Sequence, residues 1–203
     1  MRTWGFSGRW IAAGIALVMA AAPASAQFSE SYKFLKAVRD KDGAAVTEAV
    51  EKPGSTMVNT KDYSTGETAL HIVVKRRDAQ WLSFLLGKGA NPNLRDNEGN
   101  TPMLTAAQLR FADGIQVLAD RRGDVNATNG RGETPLIIAV QNRDVASVRV
   151  LLAAGANARQ PDRVTGMSAR DFAAQDSRSD LILKMIDEAK PAKPKGAVAG
   201  PTL

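Results

Sequence analysis

Two motifs recur along this chain at an interval of 33 residues and stay in phase with each other. The first reads Gly66-Glu67-Thr68-Ala69-Leu70-His71, then Gly99-Asn100-Thr101-Pro102-Met103-Leu104, then Gly132-Glu133-Thr134-Pro135-Leu136-Ile137. It returns more weakly as Gly166-Met167-Ser168-Ala169-Arg170-Asp171, the glycines lying 33, 33 and 34 residues apart. The second closes each unit: Leu85-Leu86-Gly87-Lys88-Gly89-Ala90-Asn91, Val117-Leu118-Ala119-Asp120-Arg121-Arg122-Gly123, and Leu151-Leu152-Ala153-Ala154-Gly155-Ala156-Asn157. A period of this length makes each unit one supersecondary element, which buries its apolar face only by stacking on its neighbours.

Each motif has a physical reason. Glycine permits the tight turn, and the threonine after it caps the following helix. Proline suits the first helical position, where its missing N–H would be unsatisfied anyway. Glycine after the second helix takes the left-handed conformation that satisfies terminal carbonyls. Between these signals lie two short apolar-striped segments per unit, such as 68–76 and 79–87, too short to be stable alone. The spacing predicts an all-α solenoid of five helix-turn-helix units, about 29–61, 62–95, 96–128, 129–161 and 162–189. The first pair (Ser31 to Arg39, Asp42 to Val50, closed by Met57-Val58-Asn59) and the last are caps with charged outer faces. Asp40, Asp42, Asp78 and Asp144 precede second helices, where capping explains them.

These residues resemble the ankyrin repeat, with its Thr-Pro-Leu-His turn and its Gly-Ala-Asp-Val-Asn helix stop, over roughly residues 29–189. Ala69 and Ala169 replace the proline, Arg159 replaces the second asparagine, and the histidine survives only at His71. The resemblance implies hairpin-like turns and a concave face of turn tips and first helices that grips a protein partner. Matching positions are Tyr63, Thr65, Glu67, Lys75 and Arg76, then Glu98, Asn100, Gln108 and Leu109, then Arg131, Glu133, Gln141 and Asn142. It also implies a structural role for His71, whose ring bonds the neighbouring turn. Arg77, Arg110 and Arg143 share one register after the first helix, where the family carries glycine, as Gly43 does in the first unit.

Composition narrows the chemistry. Cysteine is absent and histidine occurs once, which excludes disulfides, thiolate zinc sites and multi-histidine metal sites. No nucleophile elbow, P-loop or acid–base motif appears, so neither catalytic residues nor a cofactor or metal are expected. The net charge is +6, but five of the 27 basic residues are Arg2, Arg9, Lys190, Lys193 and Lys195, leaving 22 against 21 acidic residues in 27–189. A nearly neutral body disfavours nucleic acid.

Residues 1–26 have the three-part pattern of a secretory signal: Arg2 and Arg9, an apolar run from Trp10 to Ala22, and Ala24-Ser25-Ala26. The run is shorter than the roughly 20 residues of a membrane span, so no stable insertion is expected after cleavage behind Ala26. Export without disulfides points to a bacterial periplasm. Residues 190–203 read as a basic, unpacked Pro/Lys/Gly tail. The expected function is a monomeric, non-enzymatic interaction module or scaffold in the periplasm, an accessory to an envelope stress-defence enzyme. The alternative is docking to anionic lipid or envelope polymer through the tail and the arginine row.

Overall fold

A computed structural model describes residues 24–189, with side chains from residue 30. The expected leader, apart from its last three residues, and the expected tail lie outside the described residues.

Ten α-helices follow one another in pairs, with two isolated antiparallel bridges, Lys61–Thr68 and Pro161–Ser168, and no strand among the described residues. The pairs are α1 (Ala24–Asp40) and α2 (Gly43–Glu51), α3 (Ala69–Lys75) and α4 (Ala79–Gly87), α5 (Pro102–Gln108) and α6 (Ala112–Asp120). They continue as α7 (Pro135–Gln141) and α8 (Val145–Ala153), then α9 (Ala169–Gln175) and α10 (Asp180–Glu188). First helices pack on first helices along the array, and from α4 onward second helices pack on second helices. Helix α1 already includes residues 24–30, ahead of the start expected near Ser31, since no glycine or proline interrupts 24–31.

The three central first helices, α3, α5 and α7, are buried almost all round. Residues 69–74, 102–107 and 135–140 are each buried without interruption. Such seven-residue helices exist only because neighbours cover them. Thr101, Thr134 and Ser168 cap them as the motif requires, each hydroxyl accepting from the N–H three residues on.

Asparagines tie successive units together behind the helices. Asn59 Oδ1 accepts from Asn91 N–H at 2.7 Å, Asn93 Oδ1 from Asp124 N–H at 2.8 Å, and Asn126 Oδ1 from Asn157 N–H at 2.7 Å. Arg159 holds the next position in this series, so the rung is missing at the last joint.

Candidate functional site

The turns that open the units are built around Asp62, Asp96, Asn129 and Asp162. Each side-chain oxygen accepts from N–H groups further along its own turn: Ser64 for Asp62, Glu98 and Asn100 for Asp96, Arg131 and Glu133 for Asn129, Val164 and Thr165 for Asp162. Bonds from the Ser64 hydroxyl and the Arg39 guanidinium hold the Asp62 carboxyl well below the usual range. Adjacent tips are joined by backbone. Asn97 N–H donates to the Thr65 carbonyl and Arg163 N–H to the Arg131 carbonyl, both at 3.0 Å. The first and last tips carry one residue more than the middle two, which accounts for the 34-residue step.

The end of each first helix reaches back to the base of its tip. Lys75 pairs with Glu67. Gln108 Nε2 donates to Asn100 Oδ1 at 3.3 Å, and Gln175 Nε2 lies 3.6 Å from Met167 Sδ. Gln141 is placed alike, but Glu133 instead accepts from Asn129 Nδ2 at 2.8 Å. Tips and helix ends therefore form one continuous surface. Tyr63 (86% exposed), Thr65, Lys75, Glu98, Gln108, Leu109 (37%), Arg131 and Gln141 lie on it in contact with solvent.

Other expected positions do not. Asn100 is only 4% exposed, because its amide joins Glu98 to Gln108 and its carbonyl receives His71; its assignment to the exposed face is corrected. Glu67, Glu133 and Asn142 are half-buried, Asn142 donating to the Ala107 carbonyl of the preceding unit at 3.4 Å. Arg76 is a tie between units. Its Nη1 donates to the Val38 carbonyl at 2.9 Å, and its guanidinium lies over the Trp81 ring.

The basic row sits at the far end of the first helices, about 10 Å from the tips by helix length. Arg77, Arg110 and Arg143 have φ of 55, 54 and 52°. The first-unit member is Lys41 (φ 60°), not Gly43, which begins α2. Three of the four reach into the next unit. Lys41 pairs with Asp78, Arg77 bonds the Arg110 carbonyl and covers the Phe111 ring, and Arg143 pairs with Asp176. Asp176 is held well below the usual range by that guanidinium.

His71 is buried. The Thr68 N–H donates to its Nδ1, so Nε2 carries the proton and donates to the Asn100 carbonyl at 3.0 Å. With both nitrogens engaged it bonds the neighbouring turn, as the resemblance implies. No group of three or more His, Asp or Glu that could hold a metal occurs among the described residues. A cleft of about 1280 Å³ lies away from the tips, where α6, α8 and α10 end, crossed by the Arg170–Asp187 pair. Nothing in the sequence singles out Arg163, on the last tip, because the residues one and two periods before it are Gly130 and Asn97, so no basic residue recurs there.

Sequence models of two families match the chain: "Ankyrin repeats (3 copies)" over residues 34–129 and "Ankyrin repeats (many copies)" over residues 118–173. A 52-residue stretch is 40% identical to the nuclear factor NF-kappa-B p110 subunit of Drosophila melanogaster, covering 26% of this chain and 5% of that protein. A 56-residue stretch is 43% identical to an L-asparaginase of Dirofilaria immitis, covering 28% of this chain and 9% of that protein. The chain thus spans a small part of the length of these relatives.

Proposed function

Because the chain belongs to the ankyrin-repeat family, we propose that it is a non-enzymatic module holding a protein partner against its turn tips and first-helix ends. Ankyrin repeats are a protein–protein interaction module, and a match over 9% of an asparaginase does not bring that enzyme's activity here. The carrying observation is the unbroken burial of the three central first helices, α3, α5 and α7. It leaves the tips and residues such as Lys75, Gln108, Leu109 and Gln141 as the accessible part of that face. A photo-crosslinker at Tyr63 or Leu109 should capture a partner that one at Arg149, exposed on α8, does not. Capture from Arg149 alone would move the site to the second helices.

The periplasm of a Gram-negative bacterium is the compartment we propose, supported by the signal pattern of 1–26 and the absence of cysteine. A monomer acting as accessory to an envelope stress-defence enzyme is the role suggested by that compartment. Among the described residues no helix is long and apolar enough to cross a membrane. Docking to anionic lipid or polymer through the basic row has less support, since Lys41, Arg77 and Arg143 already engage the next unit.

A further inference from the structure

The tips turn most of their acids inward. Asp62, Asp96 and Asp162 give their carboxylates to N–H groups of their own turns, and Glu67 pairs with Lys75. Glu98, exposed on the second tip, accepts from Asn100 Nδ2 at 3.1 Å.

On the last two tips the outward groups are guanidiniums. Arg131 has 68% of its side chain exposed, and its nearest carboxylate, Glu133, is 3.6 Å away with 12% exposed. Arg163 is exposed and makes no ion pair among the described residues. The bond from Arg163 N–H to the Arg131 carbonyl is 3.0 Å long, which sets the two Cα atoms about 5 Å apart, as in a β ladder. Gly132 (φ +82°) permits this approach, since a Cβ there would lie 2.6 Å from the Arg163 nitrogen. The backbones of the two arginines are thus held side by side and both side chains are exposed, the Arg163 stem lying against Gly132.

We propose that Arg131 and Arg163 form a fork that reads an acidic side chain of an extended protein segment lying along the tips. The proposal rests on the protein-binding reading above and names the chemistry of the partner. Guanidinium donors match a carboxylate bidentately, and two adjacent ones accept one or two carboxylates without a buried charge. Leu109, on the same surface one unit back, takes an apolar residue of the same segment. Units stack at about 10 Å, and Leu109, the C-cap of α5, lies a further helix length of about 10 Å from the tips, so it is about 14 Å from Arg131 and about 22 Å from Arg163. At about 3.3 Å per extended residue, a segment crossing obliquely from Leu109 to the fork should carry its apolar and acidic residues about four or seven positions apart. A free anion would make no use of Leu109.

The test pans a random dodecapeptide library against the immobilised full chain. Selected peptides should be enriched in Asp or Glu at a fixed distance from an apolar residue. The enrichment should vanish for the Arg131→Ala/Arg163→Ala double variant, and representative acidic peptides should bind that variant at least tenfold more weakly. Leu109→Ala should instead erase the apolar preference and keep the acidic one. Acidic preference that is absent, or that survives in the double variant, overturns the fork while leaving groove binding intact. Peptides indifferent to Leu109→Ala, Tyr63→Ala and the double variant alike overturn the groove itself. Arginine-dependent retention on phosphatidylglycerol vesicles without acidic-peptide selection would reassign the fork to a lipid surface.

Discussion

His71 shows what a single residue contributes and what it costs. Its Nδ1 faces a Thr68 N–H, so a second proton on the ring would set donor against donor. Burial accordingly lowers its folded pKa below 6.5, although the Asn100 carbonyl opposes this. The unfolded chain then takes up the proton more readily, so stability is complete above about pH 6.5 and falls as pH drops toward the lower folded value. Asp62 and Asp176 are depressed instead, and their contribution is lost only below their ordinary 3.8. Melting temperature should fall between pH 7.5 and 5, and His71→Gln should flatten that slope; an equal slope in the variant would show that other groups cause it. The left-handed arginines make a second case. Arg122 (φ 64°) stands where Gly89 and Gly155 stand in neighbouring units, so the left-handed residue of that unit is not Gly123. Arg122→Gly should stabilise by roughly 0.5–1 kcal/mol in thermal melts, whereas Arg77→Gly should gain less because it loses the Phe111 contact. The sequence placed three of these arginines in one register. It hid Lys41 because the first unit has a different length.

Helix starts were mostly legible. Asp42, Asp78 and Asp144 accept from the N–H three residues on, at 3.0, 3.1 and 3.3 Å, the pattern expected of caps. Asp40 does not; it closes α1 and pairs with Lys36. Two second helices start without such a bond: α10, where Ser179 stands at the N-cap, and α6, where Phe111 does. Its ring fills the space over Gly114, where a Cβ would lie 2.3 Å from a ring carbon. A glycine inside a helix was the only sequence sign of this exchange, and spacing alone cannot show which ring requires it. Gly114→Ala should cost about 1–3 kcal/mol by overpacking, and Phe111→Asp about 3–5 kcal/mol by emptying a buried position. Together they should cost less than the two losses added, since the clashing ring is gone and a cap is restored. Additive melting shifts in that double-mutant cycle would deny the coupling.

At the scale of the molecule, the 33-residue period foretold the stacked all-α array because every unit solves the same burial problem. The surface was less legible. Exposure at Asn100 or Arg163 depends on which tip bonds which, and that depends on turn length rather than composition. Leu136 and Leu151, both fully buried in the fourth unit, should each cost roughly 2–5 kcal/mol on replacement by alanine. Unfolding should then lose cooperativity, since coupling runs only between neighbours; an unchanged denaturation curve would contradict the packing. The missing asparagine rung at Arg159 has a dynamic consequence. Helix α9 buries only Ala169 and Ala173, where α5 and α7 bury six residues each. Fraying should begin there, with amides of α9 and α10 exchanging with deuterium ahead of those in α5 to α8. A segment clasped across Arg131 and Arg163 would bridge that same joint, and at a hundredfold excess over Kd it would raise the opening free energy by about 2.7 kcal/mol. Occupancy would then be readable as slowed exchange in the last helix pair, far from the clasp itself.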